Sequence, residues 1–134
     1  MAKAITSSKT IVHVEDDAVT LAAYGLSLQR EGFEVHPAKD GLEAMKILFS
    51  SIPDLVVLDL MLPKVNGVEL LKFIRNEERL KMLPVITLST NSIIEGKDDN
   101  VLEGANRRLI KEKCTPSILL QNIQELFANQ PSPS

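Results

Sequence analysis

The sequence predicts one α/β domain, a five-stranded parallel sheet with five helices spread over both faces. Three observations carry that prediction. The first is Asp54-Leu55-Val56-Val57-Leu58-Asp59, four branched apolar residues in a row, opened by Pro53 and closed by a carboxylate. A continuous run of that length reads as a strand buried on both faces, which belongs inside a parallel sheet. The second is alternation, because short apolar segments take turns with helix-patterned ones along the chain, and right-handed crossovers then give a layered sheet. The third is size and composition. At 134 residues, 44% apolar and 25% charged, the chain suits one core that buries roughly two-thirds of its unfolded surface.

Each element has its own warrant. Thr10-Ile11-Val12-His13-Val14 is a β-branched strand ending in Glu15-Asp16-Asp17. Ala18 to Glu31 carries Leu21, Gly25 and Leu28 on one helical face with Ala22 and Tyr24 beside it, and Gly32 stops it. Phe33-Glu34-Val35-His36-Pro37 alternates, and its proline suits a sheet edge. Asp40 caps a helix whose inward face is Ala44, Met45, Leu48 and Ile52. After the central strand come a Pro63 and Gly67 loop and an Asn66-capped helix with Val68, Leu71 and Ile74 inward. Its exit, Arg75 to Arg79, is charged. Pro84 to Leu88 is the fourth strand. Ile93 to Gly104 is a weak helix, lowered in propensity by Gly96 and Asp98-Asp99-Asn100. Arg107 to Lys111 is a polar-ended edge strand. Thr115-Pro116 starts the last helix, with Leu119, Ile123 and Leu126 inward.

Composition excludes several classes. A net charge of −3 gives no basic face for nucleic acid. The first nine residues lack the apolar core of a secretory signal, and no run approaches the length of a membrane span. One cysteine, Cys114, cannot form an internal disulfide and fits a reducing compartment, where it fills space near a helix start. These features point to the cytoplasm. The domain is expected over residues 9–128, with 1–8 and 129–134 as short flexible tails.

The chemistry lies at the strand ends. Glu15, Asp16 and Asp17 follow the first strand, Asp59 the third and Ser89 the fourth, while Lys111 closes the fifth. Asp59 alone reads equally well as a loop cap. Carboxylates gathered together raise one another's pKa, and a divalent cation removes that penalty. Oxygen-only ligands in a shallow, hydrated cleft favour Mg²⁺ over Ca²⁺. Beside such an ion Asp59 can act as a nucleophile toward phosphorus and form an aspartyl phosphate. Lys111 and the Ser89 hydroxyl then hold the remaining phosphoryl oxygens.

From about Lys9 to Phe127 the chain resembles the receiver domain of two-component response regulators. The residues that carry the resemblance are Glu15-Asp16 after the first strand and Asp59 after the third. Pro63 and Gly67 lie four and eight positions past Asp59, Ser89 thirty past it, and Gly104-Ala105 and Lys111 follow in order. Each is weak alone; the ordered set is specific. The resemblance implies the flavodoxin-like strand order 2-1-3-4-5. It implies that Asp59 is the phosphoacceptor for a phosphohistidine on a sensor histidine kinase or phosphotransfer protein. It implies a Mg²⁺ site made by the Asp16 and Asp59 carboxylates and the Met61 backbone carbonyl, with Glu15 acting through water. Ser89 is then the switch hydroxyl and Lys111 the phosphoryl contact. Asp17 has no such role and reads as a helix-start acid.

Two positions depart from the family pattern. Arg108 stands where an aromatic switch residue is usual, and Glu112 follows Lys111 where proline is usual. The first bears on the usual inward–outward signal of that aromatic, the second removes one backbone constraint on the loop holding Lys111, and neither touches the phosphorylation chemistry. Arg107, Arg108, Lys111 and Lys113 make the end of strand five basic. That is either a solvated face or a docking patch for an acidic partner or a second copy, with downstream proteins as the expected targets. The alternatives are an interaction adaptor that works without phosphorylation, and the N-terminal receiver of a longer regulator. A phosphatase acting through Asp59 needs an acid two residues on, where this chain has Met61. His13 and His36 read as structural, and Met45, Met61 and Met82 as core or loop fillers.

Overall fold

The structure is a computed structural model, and it describes residues 9–62, 64–90 and 104–129. Its centre is β3 (Leu55–Asp59), five residues buried without exception. The other strands are β1 (Thr10–Val14), β2 (Glu34–Ala38), β4 (Val85–Ser89) and β5 (Arg107–Ile110). All pair in parallel in the order β2-β1-β3-β4-β5. Val12 lies opposite Val56, and Val56 opposite Val85. The central strand is therefore apolar on both sides because both sides are covered.

Side chains alternate across β3, and each face meets its own helices. Val56 and Leu58 pack with Ala44 and Leu48 of α2 (Gly41–Ser50) and with Leu70, Leu71 and Ile74 of α3 (Gly67–Asn76). Leu55 and Val57 pack with Leu28 of α1 (Ala18–Arg30) and with Leu119 and Ile123 of α4 (Pro116–Ala128). Each helix starts on a side-chain cap. Asp17, Asp40, Asn66 and Thr115 accept from the amides of Thr20, Glu43, Glu69 and Ile118, which supplies an orphan helical donor with its partner. Gly32, at φ +95°, turns the chain out of α1 in a conformation that favours glycine.

Several expectations shift. β2 starts one residue later than the alternation suggests, and Ala38 pairs with Val14 while Phe33 leaves the strand to pack on Phe127. Ile52 is 46% exposed, because α2 stops at Ser50 and Ser51 is extended. Leu70 takes the buried place that the pattern assigned to Val68, which is half-buried. Lys111 is not the last residue of β5 but the first of a 3₁₀ turn, Lys111–Lys113. Four α-helices are found among the described residues; Pro63 and most of the predicted helix from Ile93 to Gly104 lie outside them.

The charged exit of α3 is used internally. Arg75 donates from Nε to the Gly104 carbonyl at 2.7 Å and from Nη1 to the carbonyls of Leu83 and Lys81 at 2.8 and 3.1 Å. Its Nη2 reaches Asn106 Oδ1 at 2.9 Å, an oxygen that also accepts from the Val85 amide at 2.8 Å. One guanidinium thus ties α3 to the approach to β4 and to the chain entering β5, at the sheet edge opposite the carboxylates.

Candidate functional site at the carboxyl ends of the strands

Parallel pairing brings the ends of β1, β3, β4 and β5 to one sheet edge, where ligands of open α/β sheets bind. Glu15 and Asp59 are fully buried there. The Lys111 ammonium donates to Asp59 Oδ2 at 2.7 Å and to Glu15 Oε2 at 3.1 Å. Asp59 Oδ1 accepts from the Met61 amide at 2.9 Å, and Glu15 Oε2 from the Asp17 amide at 3.2 Å. Asp16 is exposed, yet one oxygen each from Glu15, Asp16 and Asp59 can be chosen within 4.8 Å of one another. Ser89 ends the neighbouring strand, one residue past Leu88, which faces Asp59. Its hydroxyl is buried and, among the described residues, has no hydrogen-bond partner.

Gly67 makes this geometry possible. A Cβ there would lie 2.4 Å from the Leu60 Cα and 2.6 Å from the Asp59 carbonyl oxygen. The first turn of α3 therefore presses directly on the strand end that carries Asp59, and only glycine permits that approach.

Charge within the cluster is unbalanced. Burial pushes the Glu15 carboxyl above its ordinary value, as does the neighbouring Asp59 charge, against the Asp17 amide and Lys111. Burial pulls Lys111 down, but its hydrogen bonds and charge interactions with Asp59 and Glu15 outweigh this and hold the ammonium above its usual value. Three carboxylates gather beside one ammonium, which bonds to two of them. Glu15 Oε1 is also buried and, among the described residues, has no hydrogen-bond partner, a position that calls for a water or an ion. An all-oxygen donor set with a residual negative charge and an unused buried oxygen fits a hard divalent cation.

Two residues near the site meet in a contact that no sequence pattern signals. His13, two positions before Glu15, is fully buried with neither ring nitrogen hydrogen-bonded among the described residues. Its pKa is lowered to about 4, chiefly by burial, with the Asp59 charge opposing. Its ring lies 5.8 Å from that of Tyr24, whose hydroxyl donates to the Cys114 carbonyl at the end of the turn that Lys111 begins.

The profile of the response regulator receiver domain matches residues 11–124. This chain belongs to that family. The receiver is 26% identical over 122 residues to the polar-differentiation response regulator DivK of Brucella ovis, covering 91% of this chain and 98% of DivK. It superposes on the chemotaxis response regulator CheY4 of Vibrio cholerae with a TM-score of 0.79 at 26% identity, covering 90% and 99% of the two chains. The receiver domain of the sensor histidine kinase PA1611 of Pseudomonas aeruginosa gives a TM-score of 0.81 at 25% identity, covering 92% and 100%. That domain was solved with a magnesium ion coordinated in its active-site cleft. The receiver is thus a regulatory domain of two-component signalling, and no helix among its described residues is long and apolar enough to cross a membrane.

Both departures from the family pattern lie beside this site. Arg108 is exposed on β5, opposite Thr87 of β4. Arg107 is engaged by Glu125 at 2.9 Å and Asn122 at 2.8 Å, which leaves Arg108 and Lys113 as the exposed cations of this end among the described residues. Glu112 is exposed in the middle of the 3₁₀ turn.

Proposed function

We propose that this receiver accepts a phosphoryl group on Asp59 from the phosphohistidine of a sensor histidine kinase or phosphotransfer protein, in a Mg²⁺-dependent reaction, and so switches its contacts with a downstream protein. The observation that carries this reading is the buried Asp59 carboxylate at the end of the central strand, held by the Lys111 ammonium at 2.7 Å within a cluster of acids. An Asp59 oxygen bonds to phosphorus as the phosphorus–nitrogen bond of the donor breaks, and that electron pair returns to the imidazole. The Asp16 and Asp59 carboxylates, the Met61 backbone carbonyl and, through water, Glu15 would hold Mg²⁺. When bound, the ion offsets the charge of the incoming phosphoryl oxygens. Lys111 contacts a phosphoryl oxygen, and the Ser89 hydroxyl turns to donate to another. The unit that does this spans residues 9–128, with 1–8 and 129–134 as tails, and it acts in the cytoplasm. Arg108 and Lys113 offer the exposed basic surface to an acidic partner or a second copy.

The test is intact-mass spectrometry after incubation with acetyl phosphate and Mg²⁺. The native protein is expected to gain one phosphoryl group and Asp59→Asn none. An unmodified native protein, or equal gain by Asp59→Asn, overturns the assignment.

A further inference from the structure

We infer that Tyr24 is a positioning residue for Lys111, acting from helix α1 through a hydroxyl tether to the turn that carries the lysine. This rests on the reading of Lys111 as the phosphoryl contact of Asp59. The turn Lys111–Lys113 buries none of its three residues and starts from Ile110 without a side-chain cap. Packing within the turn therefore does little to hold it. At its end the backbone closes with a hydrogen bond from the Cys114 amide to the Lys111 carbonyl at 3.2 Å. The Cys114 carbonyl, at the end of that closure, accepts from the Tyr24 hydroxyl, a group 90 residues away in the chain. Cys114 itself is buried against the α1–α4 face of the sheet, in the cluster that Tyr24 packs against.

The tether has a rigid base. The Tyr24 ring stands against the buried ring of His13 on β1, and β1 leads directly into Glu15, the second acceptor of the Lys111 ammonium. A closed path thus runs from Glu15 along β1 to His13, across the rings to Tyr24, through the hydroxyl to Cys114, and along the turn back to Lys111. Breaking the hydroxyl link removes the side-chain bond from α1 to the end of the turn that carries the ammonium, leaving β5 and the buried Cys114 to hold it. Burial keeps the phenol above its ordinary pKa, as do its interactions with Cys114, so the hydroxyl stays a neutral donor. Coupling between two groups is reciprocal, so anything that draws Lys111 toward Asp59 also strains or relaxes the Tyr24 bond.

The experiment compares native protein with Tyr24→Phe, which keeps the ring against His13 and removes only the oxygen. Two-dimensional ¹H–¹⁵N spectra of the lysine ammonium groups, with Lys111 assigned by its loss in Lys111→Arg, report solvent exchange of those protons. Exchange at Lys111 is expected to rise about fivefold in Tyr24→Phe, the effect of losing one ordinary hydrogen bond. Exchange of the Val57 amide in the central strand is expected to stay unchanged. With acetyl phosphate and Mg²⁺, the maximal phosphorylation rate is expected to fall while the half-saturating donor concentration holds. Unchanged exchange at Lys111, or equal acceleration at Val57, overturns the tether, and so does a looser Lys111 with an unaltered maximal rate. If native protein takes up no phosphoryl group, the Asp59 assignment fails while the ammonium comparison still decides the tether.

Discussion

Lys111 stands between two buried carboxylates, so its ammonium governs whether both can stay ionised. Lys111→Met leaves Glu15 and Asp59 facing each other unpaired. Urea denaturation at pH 7 is expected to show a loss of about 3 kcal/mol. The loss is expected to shrink as the pH is lowered, because Glu15, whose pKa is already raised, takes up a proton and relieves the repulsion. His13 gives a second, opposite pH signature. Its folded pKa of about 4 lies below the unfolded 6.5, so the unfolded chain binds a proton before the native protein does. Stability is full above pH 6.5 and falls as the pH drops toward 4. Relative to His13→Val, native protein is expected to lose about 2–3 kcal/mol between pH 7 and pH 4.5, from urea midpoints at the two pH values.

At the scale of elements, the contact of α3 with the end of β3 is a tight constraint on the site. In Gly67→Ala the new methyl meets the Leu60 and Asp59 backbone at 2.4 and 2.6 Å, atoms that move only if the strand end moves. We expect a loss of about 3 kcal/mol or more in urea denaturation, together with slower phosphorylation. The central strand and the caps Asp40, Asn66 and Thr115 were legible in sequence because their causes are local: an unbroken apolar run and an oxygen three residues before an amide. The acids and Lys111 were legible because parallel topology sends strand ends to one edge. The Tyr24 tether, the Arg75 clip and the pairing of His13 with Tyr24 were not, since each joins residues far apart in the chain through side-chain reach alone. Ile52 misled because a helical period does not say where the helix stops. β2 slipped by one residue because alternation marks the faces of a strand and not its ends.

For the molecule as a whole, the proposed cation links chemistry to stability. A ligand that binds only the folded state at about 100 times its Kd adds about 2.7 kcal/mol. Mg²⁺ is therefore expected to raise the melting temperature of native protein and to leave Asp16→Ala unmoved in differential scanning calorimetry. Tyr24 is the only tyrosine and the chain has no tryptophan, so its emission gives a second reading of the same titration. The Arg75 clip has a consequence at this scale. Ser89 is the last residue of β4, and Gly104, fifteen positions on, is pinned to α3 by the guanidinium. Like a tie rod across a joint, that guanidinium passes any movement of α3 to the chain entering β5, at the end of the sheet away from the carboxylates.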